Sequence, residues 1–113
     1  LALTFDFRGY GESGGQRDIS RIDRDVAAAL KFLKGRGVER IYLIGASMGG
    51  TASLKVAAEE EVAGVVAISA PSAFRGLSAM EEVGRIKAPK LFIASDRDLP
   101  AAASAREMHQ RAS

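Results

Sequence analysis

Residues 42–54 read YLIGASMGGTASL. A β-rich run leads into a glycine, and small and apolar residues follow. The stretch therefore predicts a strand over 40–45 and a helix from about Met48 to Glu60, with Leu54, Ala57 and Ala58 on its inner side. Between them Gly45-Ala46-Ser47-Met48-Gly49 forms a G-x-S-x-G, with Gly50 next. A serine on so sharp a strand-to-helix turn is forced into strained backbone geometry, and its hydroxyl projects away from the sheet. Side chains two residues to either side would collide with the neighbouring backbone, and Gly45 and Gly49 remove them. The helix beginning at Met48 aims free N–H groups and the positive end of its dipole at the same point, so the Met48 N–H is a candidate oxyanion donor. Ser47 is thus the candidate nucleophile. The plain alternative is a glycine-rich turn with an incidental serine.

Outward from this stretch the chain alternates. Residues 2–7 (ALTFDF) read as a buried strand, followed by a glycine-rich loop to about Asp18. Residues 20–34 read as a helix with Ile22, Val26, Ala29, Leu30 and Leu33 in one apolar stripe. Ser20 and Asp23 resemble a capping box, and Gly35 and Gly37 end the helix. Residues 62–70 (VAGVVAISA) are apolar nearly throughout, as a strand covered on both faces should be. A polar connection over 71–89, with a short helix expected around Leu77–Val83, leads to a strand over 90–95 (KLFIAS). Pro100 opens a last helix with Ala101, Ala105, Met108 and Ala112 on one face. This order predicts an α/β fold, a three-layer αβα sandwich with a mostly parallel sheet, formed by residues 1–113 as a single domain. Right-handed crossovers gather the strand-to-helix loops at one sheet edge, where ligands bind in such folds.

Composition narrows the function. The 113 residues carry a net charge of +2, and no run of five like charges suggests a nucleic-acid arm. There is no cysteine, which excludes disulfides, zinc thiolates and a cysteine nucleophile. No apolar run approaches the length of a membrane span. Neither a metal nor a cofactor is expected. The chain begins inside a strand-like run without Met and ends just after a helical stretch, so both ends read as cut. No targeting signal is visible, and a cytoplasmic location is the default expectation.

The loop after the first strand offers a rival. FDFRGYGESGG, residues 5–15, contains G-x-G-x-x-G at Gly9, Gly11 and Gly14, the pattern of a dinucleotide cradle. Such a cradle needs a helix opening directly at the glycines and an acidic residue ending the next strand. Here the helix waits until about Ser20, the next strand ends in Gly45, and Arg8, Glu12, Gln16 and Arg17 fill the loop. The better reading is a sharp turn near the catalytic edge, with Gly9, Gly11, Gly14 and Gly15 permitting the turns and Asp6 and Arg8 tying the loop through charge-assisted hydrogen bonds.

Three segments in this order resemble the α/β-hydrolase superfamily: DFRGYGESGG after the first strand, GASMGG at the elbow, and APKLFIASDRDLP at the fourth strand. The resemblance spans nearly all of the chain and is nearest to bacterial serine esterase- or lipase-like enzymes of the monoacylglycerol-lipase or S33-peptidase type. It implies a serine hydrolase acting on a carboxylic ester or related acyl bond of a small-molecule substrate. Ser47 would be the nucleophile and Asp98 the acid. Asp96 competes for the acid, and a carboxylate capping the last helix is the plain reading of either. The family order places the base histidine after the acid. The one histidine, His109, sits roughly 12 Å down the last helix from the active edge, by the 1.5 Å helical rise, and reads as solvent-facing. The resemblance therefore implies a base beyond Ser113, a first oxyanion donor before Leu1, and an earlier strand lying between the first two strands seen here. The other readings are a catalytically inactive fragment or interaction module, an acyltransferase, or a peptidase.

Overall fold

The computed structural model of the protein describes residues 2–112. Its centre is a parallel sheet of three strands, β1 (Tyr42–Ala46), β2 (Gly64–Ile68) and β5 (Lys90–Ile93), in the order β1-β2-β5. Tyr42 pairs with Gly64 and Ala46 with Ile68, while Val65 pairs with Lys90 and Ile68 with Ile93. The C-terminal ends of all three strands therefore lie level at one edge. The helices α1 (Ile22–Gly35), α2 (Met48–Glu59) and α3 (Leu99–Ala112) complete the expected alternation.

The expected stripe of α1 is realised: Ile22, Val26 and Leu30 are buried and pack with Ala52 and Val56 of α2. Leu54 and Ala57 of α2, Val65 and Ala67 of β2 and Met108 of α3 form a second cluster. Because side chains alternate along a strand, Leu43, Val65, Ala67 and Phe92 face these helices. Tyr42, Ile44, Leu91 and Ile93 point to the other face and are exposed. Of the three expected layers, the described residues supply two.

Several local expectations are corrected. Residues 2–7 run toward the elbow but form no strand. A groove of about 1000 Å³ separates them from β1, floored by Val26 and Leu30 of α1 among others. The first two segments thus do not close on each other, and β1 is an edge strand of the sheet. The capping box is not formed either: Arg21 occupies the cap of α1 with no side-chain bond, and Ser20 donates instead to Asp18. A single 3-10 turn, Ile19–Arg21, precedes the helix, and this displaces Ser20 from the capping position.

The expected helix around Leu77–Val83 is a hairpin followed by a 3-10 turn. β3 (Ala73–Phe74) pairs antiparallel with β4 (Leu77–Ser78), and Val83–Arg85 forms the turn. Arg75 and Gly76 both have positive φ, 46° and 87°. Two such residues make the type I′ turn that suits a tight hairpin. Leu77 is fully buried in the cluster that holds Ile22 of α1 and Ala52 of α2, which anchors the hairpin.

Candidate active site

The turn from β1 into α2 holds Ser47 at φ 51°, ψ −130°. A non-glycine residue at positive φ is strained and persists only where its surroundings over-determine it. Here the Ser47 N–H donates to Ile68 O at 2.8 Å, and its carbonyl accepts from Gly50 N at 3.0 Å and Thr51 N at 3.3 Å. The side chain is left exposed at the sheet edge. Met48 is the first residue of α2, so its N–H is among those with no acceptor inside the helix.

Of the two glycines expected to be crowded, Gly45 is and Gly49 is not. A Cβ on Gly45 would run into the carbonyl of Gly49 and lie 2.6 Å from Gly50 N. A Cβ on Gly49 would meet only the Phe7 ring, at 3.6 Å, an ordinary contact. Gly50, outside the five-residue motif, is the second crowded position: its Cβ would sit 2.8 Å from both Ala70 Cβ and Gly45 O. Gly49 contributes its close backbone, while Gly45 and Gly50 contribute the absence of a side chain. The doubled glycine in GASMGG is the signal that points to Gly50.

Asp96 and Asp98 lie in the exposed loop after β5, at the same edge as Ser47. With β2 between, two strand spacings set the loops about 10 Å apart. Asp98 caps α3: its Oδ1 accepts from Ala101 N at 3.3 Å and its carbonyl from Ala102 N at 2.8 Å. The capping role is therefore real for Asp98. His109 is exposed on α3, edge-to-face with Phe92 of β5 at 6.3 Å. Among the described residues no group of three or more His, Cys, Asp or Glu is arranged to hold a metal ion, and no helix is long and apolar enough to cross a membrane.

The glycine-rich loop closes on itself. Gly9 N donates to Gly14 O at 3.0 Å, and Arg17 Nε donates to Gly9 O at 3.0 Å while its guanidinium covers Tyr10. Gly9, Gly11 and Gly15 take positive φ, as expected of turn glycines. Gly14 does not share that conformation, and a Cβ there would meet nothing. Arg8 is the tie, but its partner is Asp25 of α1 and not Asp6: Nη2 to Oδ1 is 2.7 Å, Nε to Oδ1 3.0 Å, and the Arg8 backbone N–H to Oδ2 2.9 Å. Burial opposes ionisation of Asp25, but the bonds from the Arg8 side chain and backbone outweigh it and hold the carboxyl below its ordinary range.

The chain's similarities fit this geometry. The family model described as alpha/beta hydrolase fold matches residues 2–106. An alpha/beta hydrolase domain-containing protein, aho-3 of Caenorhabditis elegans, is 32% identical over 108 residues, covering 80% of this chain and 32% of its own length. The chain thus spans about a third of that relative. A solved structure of an alpha-beta serine hydrolase homologue from Coxiella burnetii superposes with a TM-score of 0.61 at 19% identity, covering 96% of this chain and 67% of that one. At that identity the likeness concerns the fold.

Proposed function

The chain belongs to the alpha/beta hydrolase family, and from that membership we propose that it carries the nucleophile and acid of a serine hydrolase acting on a carboxylic ester or related acyl bond. The observation that carries the reading is the strained backbone of Ser47, φ 51°, on a turn where Gly45 and Gly50 admit no side chain. Strain kept at an exposed serine between a strand end and a helix start has a use in nucleophile presentation.

In the proposed reaction Ser47 Oγ attacks the acyl carbon while an imidazole takes its proton. The Met48 N–H and a second donor hold the oxyanion. The leaving alcohol departs with the imidazole's proton, and water then releases the acid from the acyl-serine by the same route in reverse. Asp98 orients the imidazole, with Asp96 the alternative. His109 lies along α3 against Phe92, so the reading draws its imidazole from outside these 113 residues. For the isolated chain that same location favours a second reading, a folded but catalytically silent unit.

The test is turnover by the full-length protein carrying this chain. We expect it to hydrolyse p-nitrophenyl acetate with a product burst matching the enzyme concentration, and Ser47→Ala to lose both burst and turnover. Hydrolysis by Ser47→Ala at the parent rate removes the proposal.

A further inference from the structure

One turn joins the two halves of the site. β2 lies between the strand that ends at Ser47 and the strand that leads to Asp98, and Ser69 follows it directly. Ser69 is a non-glycine residue at φ 49°, in the left-handed region. Its N–H donates to Ile93 O of β5 at 2.7 Å. The kink turns Ala70 inward, 4% exposed, against Gly50 at the start of α2. The next two residues are each held by a side chain. Thr51, fully buried in the first turns of α2, donates its hydroxyl to Pro71 O at 2.5 Å. The Ser72 N–H donates to Ser104 Oγ of α3 at 3.2 Å, and the two serine hydroxyls are 3.5 Å apart. Thr51 N–H also bonds the carbonyl of Ser47, and α3 is the helix that Asp98 caps.

We propose that the Ser69–Ser72 turn is the device that holds the nucleophile turn in register with the acid loop, with Thr51 and Ser104 as positioning residues for the reaction. The proposal rests on the serine-hydrolase reading above. A continuous set of bonds runs from the Ser47 carbonyl through Thr51, Pro71, Ser72 and Ser104 into α3 and so to Asp98. Two loops about 10 Å apart by strand spacing have to be kept at one separation for an imidazole to reach both. Nothing about a helix requires a threonine at position 51, and valine has nearly the same shape. The hydroxyl is used for the bond to Pro71. The left-handed Ser69 serves the same end, since it brings Ala70 under α2 and presents the Pro71 carbonyl to Thr51.

The test compares Thr51→Val, Thr51→Ser, Ser104→Ala and the Thr51→Val/Ser104→Ala pair in the full-length protein, with Ser47→Ala as reference. The substrate is p-nitrophenyl acetate, and kcat and KM are separated. Misplacement of reacting groups acts on the chemical step, so Thr51→Val is expected to lower kcat about tenfold or more with KM changed less than about twofold. Thr51→Ser, which keeps the hydroxyl, is expected to restore most of the loss. The pair is expected to lose less than the product of the single losses, because both act on one turn. A merely structural role predicts instead a lower melting temperature with kcat intact in the folded fraction. The proposal is overturned if Thr51→Val and Ser104→Ala both turn over like the parent, or if Thr51→Ser is as impaired as Thr51→Val. Should Thr51→Val fail to fold, the kcat of the half-buried Ser104→Ala decides. A Ser47→Ala variant that keeps parent activity sinks the serine-hydrolase reading itself, whereas an inactive Ser47→Ala beside unaltered Thr51 and Ser104 variants sinks only the turn.

Discussion

Under the proposed reading, stability and chemistry pull against each other at Ser47. Its positive φ is costly for any side chain bearing a Cβ and cheap for glycine. Ser47→Gly should therefore unfold at higher denaturant than Ser47→Ala, by about 1 kcal/mol, as chemical denaturation of the two variants will read. Gly50→Ala should do the reverse. The added methyl has no room against Ala70 and Gly45, so a loss of about 1–3 kcal/mol is expected from overpacking, measurable as a drop in melting temperature. The sharp strand-to-helix turn at Ser47 was legible because G-x-S-x-G lies between a β-rich and a helical run. The steric need for glycine at position 45 was legible, but that at Gly50 was not, because it depends on a neighbour twenty residues away, Ala70. Ser69 and Thr51 gave no local sign: a left-handed serine and a buried hydroxyl look ordinary in a row of letters.

Two elements hang on single carboxylates. The glycine-rich loop is tied to α1 by Arg8 and Asp25, 2.7 Å apart. Asp25 is held below its ordinary range despite its burial. Its contribution to stability is therefore present above the unfolded carboxylate value and is lost as pH falls through the folded one. Asp25→Asn should lower the melting temperature at neutral pH and flatten its decline on acidification, which a pH series of thermal melts checks. At α3, Asp98 serves as a cap as well as the candidate acid. Asparagine caps as well as aspartate, so Asp98→Asn should leave the melting temperature within a few degrees. In the full-length protein it should lower kcat by about 10³–10⁴-fold if it orients the base. Normal turnover by Asp98→Asn would move the acid role to Asp96. Helices and central strands were legible from periodicity. The hairpin was missed because an Arg-Gly type I′ turn carries only one glycine, and the expected capping box does not form because a preceding 3-10 turn moved Ser20 out of place.

Taken whole, the described residues pack helices on one face of a short parallel sheet. The other face exposes Ile44 (70%), Tyr42 (59%) and Leu91 (54%). An uncovered apolar face beside an unpaired edge strand invites association. The isolated chain should bind a hydrophobic dye such as ANS and associate with rising concentration. Ile44→Glu should weaken both while altering stability by no more than about 0.5 kcal/mol, as expected for an exposed position. The parallel sheet was legible from the alternation of elements, but the groove beside β1 was not. Residues 2–7 have a strand's composition, and composition alone cannot supply a pairing partner. The most direct test of the central claim is active-site labelling of the full-length protein with a fluorophosphonate, mapped by mass spectrometry. A single adduct on the peptide bearing Ser47, absent from Ser47→Ala, is the predicted result. An ester-hydrolysing protein that carries no adduct at Ser47, or carries it on another residue, would contradict the account.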